Sequence, residues 1–317
     1  MSGSGDIFVG IDVSKGSLDV GRLPESKIKT YKNDEHGIAE VLAFLKEIKP
    51  SLIVLEATGG LEVPLAGALA TAGLSVVVVN PRQVRNFAKA TGRLAKTDAI
   101  DALVLAEFAR SIKPEARPIK DHQLQELSAL VSRRHQIVDM LVAEKNRLSS
   151  APRCVRESIK NHIGWLEKRL KETDTDLSKK VKSTPIWREN DKLLQSASGV
   201  GKVLSLNIMT DLPELGNLDR KKIAALVGIA PFNCDSGKYK GKRRIWGGRA
   251  RLRRVLYMAT MSAIRFNPVI ADYYQRLIKA GKIHKVAMVA CMRKFITILN
   301  VMMRDRTYWR DLSAKIS

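Results

Sequence analysis

Four carboxylates in the first third of the sequence are spaced so that they could share metal ions. Asp12 lies inside a strand-like stretch, Glu56 ends another, and Asp98 and Asp101 stand three positions apart at the start of an apolar helix. Positions three apart share one helix face, so these two aspartates repel each other unless a cation lies between them. Carboxylate oxygens suit Mg²⁺, and two such ions about 4 Å apart can hold the attacking and leaving oxygens of a phosphodiester. The pattern predicts phosphodiester chemistry with two Mg²⁺ ions per site.

The same acids also have a structural interpretation. Asp98 and Asp101 could complement the positive end of their helix behind a Thr97 N-cap, an effect worth about 0.3–1 kcal/mol. Glu56 could be a surface residue at the end of its strand. Asp12 is harder to explain in this way, because an unpaired acid on a central strand is costly. We therefore favour a shared metal site.

A second cluster is the basic segment that follows residue 231. Between Lys238 and Arg254 nine of the 17 residues are basic and none is acidic. The interleaved aromatic side chains could stack on bases or riboses. The predicted nucleic-acid contacts are Lys238, Tyr239, Lys240, Lys242, Arg243, Arg244, Trp246, Arg249, Arg251, Arg253 and Arg254. An ordinary solvated face is the alternative.

Ser236 stands at the start of this segment, in DSGKYKG. A serine hydroxyl that attacks a phosphodiester needs cations around the developing charge, and Lys238, Lys240 and the arginines of the segment could supply them. Asp-Ser-Gly is also an ordinary turn sequence, so spacing alone leaves the role of this serine open.

A Ser-Gly-Val-Gly turn between two helical stretches is a third candidate. Gly199 and Gly201, followed by Lys202, would expose backbone N–H groups at a helix start. Helix-hairpin-helix modules hold a DNA phosphate in this way. A tight connection between two helices explains the turn equally well.

The stretches around the acids predict how they are positioned. Between residues 1 and 112 three strand patterns come first and helix and strand patterns alternate afterwards, which is the order of the ribonuclease-H-like α/β fold. In that order the strands of Asp12 and Glu56 are neighbours, and a helix beginning near Thr97 can bring its two aspartates over the same spot. We predict a catalytic domain over residues 1–112.

Long helices follow over residues 113–190. Apolar residues recur at alternating spacings of three and four, which predicts an antiparallel helical hairpin of the coiled-coil type. Its seams consist of Leu124, Leu127, Val131, Val138, Leu141 and Leu148, then Ile159, Ile163, Leu166, Leu170 and Leu177. We favour an oligomerisation arm over an internal bundle element, because the seams are long and narrow. Residues 191–317 predict a mostly helical C-terminal domain.

The composition favours a polyanionic partner. The chain has 317 residues, 45% of them apolar, which is enough for two or three domain cores. Residues 1–112 carry 13 basic and 13 acidic side chains, whereas residues 113–317 carry 42 basic and 19 acidic ones, so the net charge of +23 belongs to the later part. Such an excess indicates nucleic acid or an anionic membrane surface.

Of these two candidate partners, the membrane surface has less support in the sequence. The longest aliphatic run, Val76–Val79, is too short to span a bilayer, and the opening MSGSG reads as a leader rather than an apolar signal segment. Cys154, Cys234 and Cys291 lie far apart and the five histidines show no ligand spacing, which gives no zinc site and fits a reducing compartment. We predict a cytoplasmic protein without a membrane partner.

A rival enzyme class shares the predicted fold. The stretch GIDVSKGSLDV resembles the first phosphate loop of actin-like and sugar kinases. The sequence has no second phosphate loop of the D-x-G-G-T kind, and ATP binding gives no reason for a charge of +23. The kinase interpretation therefore explains less of the sequence.

Six stretches, taken in order, resemble the DEDD transposases of the insertion-sequence family numbered one-ten, relatives of the Piv DNA invertases. They are GIDVSK, EATGG, KTDAIDA, SGVGK, LVGIAP and SGKYKGKRRIWGGRARLRRVLYMA, which together extend over roughly the whole chain. The resemblance implies a site-specific DNA recombinase of the prokaryotic cytoplasm, associated with the nucleoid. It also implies an N-terminal RuvC-like domain and a C-terminal transposase domain.

By the matching motifs, the resemblance implies that Asp12, Glu56, Asp98 and Asp101 bind the metal and that Ser236 forms a covalent serine–DNA intermediate. It further implies a homotetramer, a dimer of dimers, in which the acids of one subunit and the serine of another complete each site. A structured noncoding guide RNA, the bridge RNA, would pair with double-stranded donor and target DNA, while the protein reads shape and backbone.

One departure and two alternatives accompany the resemblance. Where some members carry Ser-Lys-x-Gly after the basic turn, this chain has Ile245, Trp246, Gly247 and Gly248, so the contacts of that stretch do not transfer. A Holliday-junction-resolvase-like nuclease would use the same acids to activate water and leave free DNA ends. An RNA-binding scaffold with a decayed site would bind RNA without Mg²⁺-dependent cutting.

Overall fold

The computed structural model describes residues 6–93, 98–115, 122–233, 235–236, 239–241 and 243–309, with the backbone alone for 98–100, 122, 235–236 and 239–240. The chain forms two compact units. We refer to Met1–Asp121 as the sheet unit and to His122–Ser317 as the helical unit.

The sheet unit has an α/β fold whose elements lie where the sequence patterns predict them. In its described part they are β1 (Phe8–Val13), β2 (Ser17–Leu23), β3 (Lys27–Lys32), α1 (Glu35–Ile48), β4 (Leu52–Glu56), α2 (Val63–Thr71), β5 (Val76–Val79), α3 (Pro81–Ala90) and α4 (Asp98–Ile112). The strand order in the sheet is β3-β2-β1-β4-β5. The first three strands pair antiparallel, and β4 and β5 continue the sheet parallel to β1.

Alternation along β1 decides which helices each side chain meets. Val9, Ile11 and Val13 join the core that α1 and α2 cover, whereas Phe8 joins the core that α3 and α4 cover. Helices therefore cover both faces of the sheet, which explains why its central strands read as nearly continuous apolar runs.

N-cap residues that are recognisable in the sequence mark the starts of two helices of this unit. The Asp34 carboxylate accepts a hydrogen bond from the Gly37 N–H at 2.8 Å at the start of α1. The Asn80 side chain accepts from the Arg82 N–H at 2.9 Å before α3, whose first residue is Pro81. Both caps satisfy N–H groups that a helix end leaves without partners.

The helical unit is almost entirely α-helical, as the sequence predicts. Its described elements are α5 (His122–Ser150), α6 (Arg153–Ser183), α7 (Pro185–Gln195), α8 (Lys202–Asp211), α9 (Arg220–Val227), β6 (Pro231–Phe232), β7 (Asp235–Ser236), β8 (Tyr239–Lys240), β9 (Arg244–Ile245), α10 (Ala250–Phe266), α11 (Pro268–Lys279) and α12 (His284–Asp305).

Helices α5 and α6 form an antiparallel pair. Three ion pairs join the helices, and as the residue number on α5 increases, that of its partner on α6 decreases. The pairs are Glu126 with Lys180, Arg134 with Asp174 at 2.6 Å, and Lys145 with Glu167 at 2.8 Å. This is the helical hairpin that the spacing of three and four predicts. Its part in oligomerisation stays a prediction.

The two ends of this hairpin pack differently. Near its base, Leu127 and Leu177 belong to the main core of the helical unit. Farther out, a separate small cluster contains Ile137, Leu141 and Leu166. The core residue is therefore Ile137 rather than the predicted Val138, because a helix with 3.6 residues per turn drifts away from a strict seam of 3.5.

The apolar helix α12 lies at the centre of the helical unit. Its length and its mean hydropathy of 1.6 would suit a membrane span, and 56% of that apolar window is buried inside the protein. It packs against α7, α9, α10 and α11. Burial in this core accounts for its composition.

Short strands carry the chain from α9 to α10. Pro231 and Phe232 pair antiparallel with Ile245 and Arg244, and within that span Ser236 pairs with Tyr239. The inner ladder is nested in the outer one along the sequence. Ser236 therefore lies within the stretch of chain that the β6–β9 ladder closes.

Candidate active site and nucleic-acid interface

Asp12 and Glu56 lie side by side on one face of the sheet. The parallel register of β1 and β4 pairs Ile11 with Leu55, so the two acids follow at the same level. Because Phe8 and Val54 belong to the core under α3 and α4, alternation places both acids on that same face. Both are partly buried.

Helix α4 rests directly on the backbone of this face. A Cβ on Gly10 would lie 2.3 Å from the Ala102 carbonyl oxygen and from the Ala106 nitrogen, and a Cβ on Gly21 would lie 2.8 Å from the Ala102 carbonyl carbon. Such distances leave no room for any side chain at either glycine. The close approach places Asp101, the residue before Ala102, above the central strands and partly buried.

Asp98 is the first residue of α4, one turn before Asp101. Its backbone therefore belongs to the same end of the helix, and its side chain lies outside the described residues. Asp12, Glu56 and Asp101 each interact with other groups of the chain, so none of them is without a partner.

The backbone thus brings the predicted acids to one region, but a common metal site is not established. Among the described side chains, no three His, Cys, Asp or Glu residues form a group that could hold a metal ion. The donor chemistry suits a hard cation, and the Asp98 carboxylate lies outside the described side chains. The four-acid site stays a prediction.

Asp19 is a buried acid at this site that the sequence interpretation missed. It pairs with Asp12 in the β1–β2 register and is only 7% exposed. The Thr30 hydroxyl donates a hydrogen bond to its carboxylate at 2.5 Å, and the Ser17 hydroxyl donates at 3.5 Å. In the sequence Asp19 alternates with the apolar residues Leu18 and Val20, which is the pattern of a solvent-facing residue. The pattern does not show that α4 covers this face of the sheet, so the burial of Asp19 cannot be predicted from it.

Glu62 is a second missed acid, and it folds the loop that follows Glu56. One of its carboxylate oxygens accepts from the Thr58 N–H at 3.0 Å, the Thr58 hydroxyl at 3.2 Å and the Gly60 N–H at 2.9 Å. Its side chain is 8% exposed. The positive φ values of Gly59 and Gly60 explain the glycine pair in EATGG.

The structure gives two of the predicted nucleic-acid contacts a structural role. The guanidinium of Arg249 donates to both carboxylate oxygens of buried Glu214, at 2.7 and 2.6 Å. Arg253 donates to the Gly247 carbonyl at 2.6 Å and to the Gly228 carbonyl at 3.3 Å. These contacts hold the region around the β6–β9 ladder against the neighbouring helices, and both guanidinium groups are partly buried.

The other basic candidates are more open where the structure describes them. Arg251 donates to the Ser132 hydroxyl at 2.9 Å, and Arg254 to the Asp139 carboxylate at 3.2 Å, both on the surface. Arg243 and Arg244 are exposed, as is Trp246, at 61%. For Tyr239, Lys240 and Ser236 only the backbone is described, and Lys238 and Lys242 lie outside the described residues.

The Ser-Gly-Val-Gly turn connects α7 and α8, as predicted. Gly199 has φ +103°, and a Cβ there would lie 2.6 Å from the Ala263 Cβ of α10. Helix packing therefore accounts for this glycine. Gly201 precedes α8, a Cβ on it would meet nothing within 4 Å, and Lys202 beside it is exposed. A phosphate at this turn stays a prediction.

Comparison with known proteins agrees with the order of motifs. A family model described as a transposase matches residues 9–151, and a second, described as the IS116/IS110/IS902 transposase family, matches residues 191–275. The pilin gene-inverting proteins of Moraxella bovis and Moraxella lacunata are each 25% identical to this chain over 309 residues, which cover 94% of this chain and 96% of the relative. An uncharacterized 44.8 kDa protein of insertion element IS116 from Streptomyces clavuligerus is 23% identical over 379 residues, covering 95% of each chain.

Proposed function

Since the chain belongs to the IS116/IS110/IS902 family of transposases, enzymes that cut and rejoin DNA, we propose that it is a Mg²⁺-dependent DNA recombinase that acts through a covalent serine–DNA intermediate. The observation that carries the proposal is the pair Asp12 and Glu56, adjacent on one sheet face and overlaid by the helix of Asp98 and Asp101. The strand order β3-β2-β1-β4-β5 supports a RuvC-like domain.

The four acids would hold Mg²⁺, which supplies charge neutralisation at a phosphodiester and orients its attacking and leaving oxygens. Asp12 and Glu56 offer oxygens from fixed strands, and Asp98 and Asp101 offer theirs from one end of α4. Two further buried acids lie next to this set. Asp19 pairs with Asp12 across β1 and β2, and the hydrogen bonds of Glu62 shape the loop after Glu56.

In the proposed reaction the Ser236 Oγ attacks the phosphorus of a DNA strand and releases its proton to solvent. An Oγ–P bond forms while the P–O bond to one deoxyribose breaks, and that sugar leaves with a free hydroxyl. A hydroxyl of another strand then attacks the same phosphorus, and serine is released. One phosphoester replaces another at each step, so no external energy source is needed.

The proposal assigns roles to the rest of the chain. Residues 1–112 act as the catalytic domain, 113–190 as a coiled-coil arm that joins subunits into a tetramer, and 191–317 as the transposase domain with Ser236. A bridge RNA selects donor and target DNA, and the protein works in the prokaryotic cytoplasm at the nucleoid. The net charge of +23 supports large polyanionic partners of this kind.

Trapping the intermediate tests the proposal. End-labelled duplex DNA that spans the junction of the insertion element is incubated with protein, copurified RNA and Mg²⁺, then denatured and run on a gel. We expect a labelled protein band with the wild-type chain and with the control Ser183→Ala, and none with Ser236→Ala. Cut DNA with free ends and no protein band would replace the serine mechanism with attack by water.

A further inference from the structure

A large groove opens on the helical unit between α9, the β6–β9 ladder and helices α10 to α12. Its volume is about 1800 Å³. Small-molecule sites are typically about 300–1,000 Å³, so this groove suits a longer ligand. The basic segment of the sequence supplies four of its cations, whereas α11 and α12, which carry no sequence motif, contribute much of the remaining lining.

The charged side chains that the structure describes in the lining are all cationic. Among the 24 described residues that line the groove, ten are Lys or Arg and none is Asp or Glu: Arg220, Arg243, Arg244, Arg253, Arg254, Arg276, Lys282, Lys285, Arg293 and Lys294. Ten cations on one concave surface favour a polyanion.

Two of these cations are held close together on one aromatic ring. Lys294 Nζ lies 4.8 Å from the centre of the Tyr273 ring, and the Arg276 guanidinium lies 5.8 Å from it. Burial lowers the pKa of Lys294, the nearby charge of Arg276 lowers it further, and Asp272 opposes the shift. An anion bound here would relieve the repulsion between the two cations.

The floor of the groove is apolar and open to solvent. Ile283 is 69% exposed, Met258 62% and Val286 51%. A DNA duplex presents sugars and phosphates outward and keeps its bases stacked inside, so it leaves such a floor uncovered. An unpaired strand can place phosphates on the basic rim and bases on apolar and aromatic side chains.

A second copy of this chain fits the groove poorly. In a symmetric contact the same surface patch lies on both subunits, so ten cations would face ten others. DNA is also the substrate that family membership provides.

We propose that this groove binds an unpaired segment of DNA next to the strand that Ser236 attacks. The groove lining includes Pro231, Arg244 and Ile245 of the β6–β9 ladder. Ser236 follows Phe232 by four residues, so their Cα atoms are at most about 14 Å apart. DNA binding in the groove is independent of the serine chemistry, whereas its role beside the cleaved strand rests on the proposed function.

Binding is measured by fluorescence anisotropy on the full chain in the Ser236→Ala background, where no covalent step can contribute. The probes are labelled 20-nucleotide oligo-dT, a 20-base-pair duplex and 20-nucleotide oligo-U. The floor variant is Ile283→Ser with Val286→Ser, and the rim variant is Lys282→Ala with Lys285→Ala. The control is Arg265→Ala with Lys279→Ala, which removes two exposed charges of α10 and α11 outside the groove.

We expect the floor variant to weaken oligo-dT binding about tenfold and duplex binding less than about twofold. The rim variant should reduce the slope of log affinity against log salt by about 1.4 for oligo-dT, because two phosphate contacts are lost. The control should change either quantity little. Oligo-dT carrying 4-thiothymidine should crosslink to peptides of α12.

Three results would overturn the proposal. Equal losses on oligo-dT and duplex, or none, would show that the floor does not contact bases. Binding of oligo-U more than about tenfold tighter than oligo-dT would assign the groove to RNA. Dissociation of an oligomer by the floor variant, seen by sedimentation, would assign it to a second copy. The covalent adduct on Ser236 is measured separately, so its failure and the failure of this proposal are distinguishable.

Discussion

The sheet unit and the helical unit present their charged side chains in opposite ways. In the sheet unit, acids stand on a sheet face that a helix covers, and their backbone positions follow from contacts between main chains. In the helical unit, cations line an open groove on helices and a short ladder. A small, rigid set of carboxylates is suited to chemistry at one phosphate, whereas a broad cationic surface is suited to binding a long polyanion.

Removing one acid should separate these two roles most clearly. Asp12→Asn is expected to lower DNA recombination at least about a hundredfold, because one ligand of the proposed metal site loses its charge. Oligo-dT affinity, which depends on the helical unit, should change less than about twofold. Strand exchange is followed on gels and binding by anisotropy.

The matched control for this prediction is Glu40→Gln, an exposed acid on α1. It should leave both measurements unchanged. Full recombination by Asp12→Asn, or an equal loss with the control, would remove the sheet unit from the chemistry.

Adding a side chain where α4 contacts β1 should destabilise the sheet unit strongly. A Cβ on Gly10 would lie 2.3 Å from two backbone atoms of α4, so Gly10→Ala must displace the helix. We expect a loss of about 3 kcal/mol in the free energy of unfolding, measured with urea. Gly16→Ala is the control, since a Cβ there meets nothing within 4 Å. Similar stability of both variants would show that α4 does not rest on β1.

In the helical unit, two arginines of the basic segment should differ in what their loss does. Arg249→Met leaves buried Glu214 without its bidentate partner, and we expect a loss of about 2 kcal/mol in unfolding free energy. Arg254→Met breaks an ion pair whose side chains are 70% and 63% exposed, so its stability should change by less than about 0.5 kcal/mol.

The same pair should rank in reverse for DNA affinity, with Arg254→Met weakening it more. A stable Arg249→Met variant with reduced DNA binding would instead return Arg249 to the nucleic-acid contacts that the sequence predicts.

The smallest effect concerns the core beside the groove. Burial raises the pKa of the Cys291 thiol from 9.0 to about 11, against the opposing charge of Lys294. Because the folded value is the higher one, the neutral thiol contributes stability that is complete below pH 9 and is lost as the pH rises through about 11. At pH 8 iodoacetamide should modify exposed Cys154 and spare Cys291, as read by peptide mass spectrometry. Rapid modification of Cys291 without denaturant would contradict its burial.

The sequence predicts the sheet unit well because its signals are local. Alternation and helical spacing placed the strands and helices, and strand order was enough to predict that Asp12 and Glu56 are neighbours. Asp19 was missed because its burial depends on α4, whose contact with Gly21 no local pattern shows.

The helical unit was harder to predict because its groove joins distant parts of the chain. Its lining extends from Arg220 to Ile298, whereas the basic cluster visible in the sequence lies within one continuous segment. For the same reason Arg249 reads as a nucleic-acid contact until its partner Glu214, 35 residues earlier, is known.

The contact of α4 with Gly10 and Gly21 has a consequence for transferring this site to other proteins. Since main chain meets main chain there, the height of α4 above β1 does not depend on the size of any intervening side chain. Apolar residues around the contact can then be exchanged while Asp101 keeps its level above the central strands. A designer who grafts the acids onto another scaffold would have to include both glycines. Without them the helix would lie too far from the sheet for its carboxylates to reach the acids on the strands.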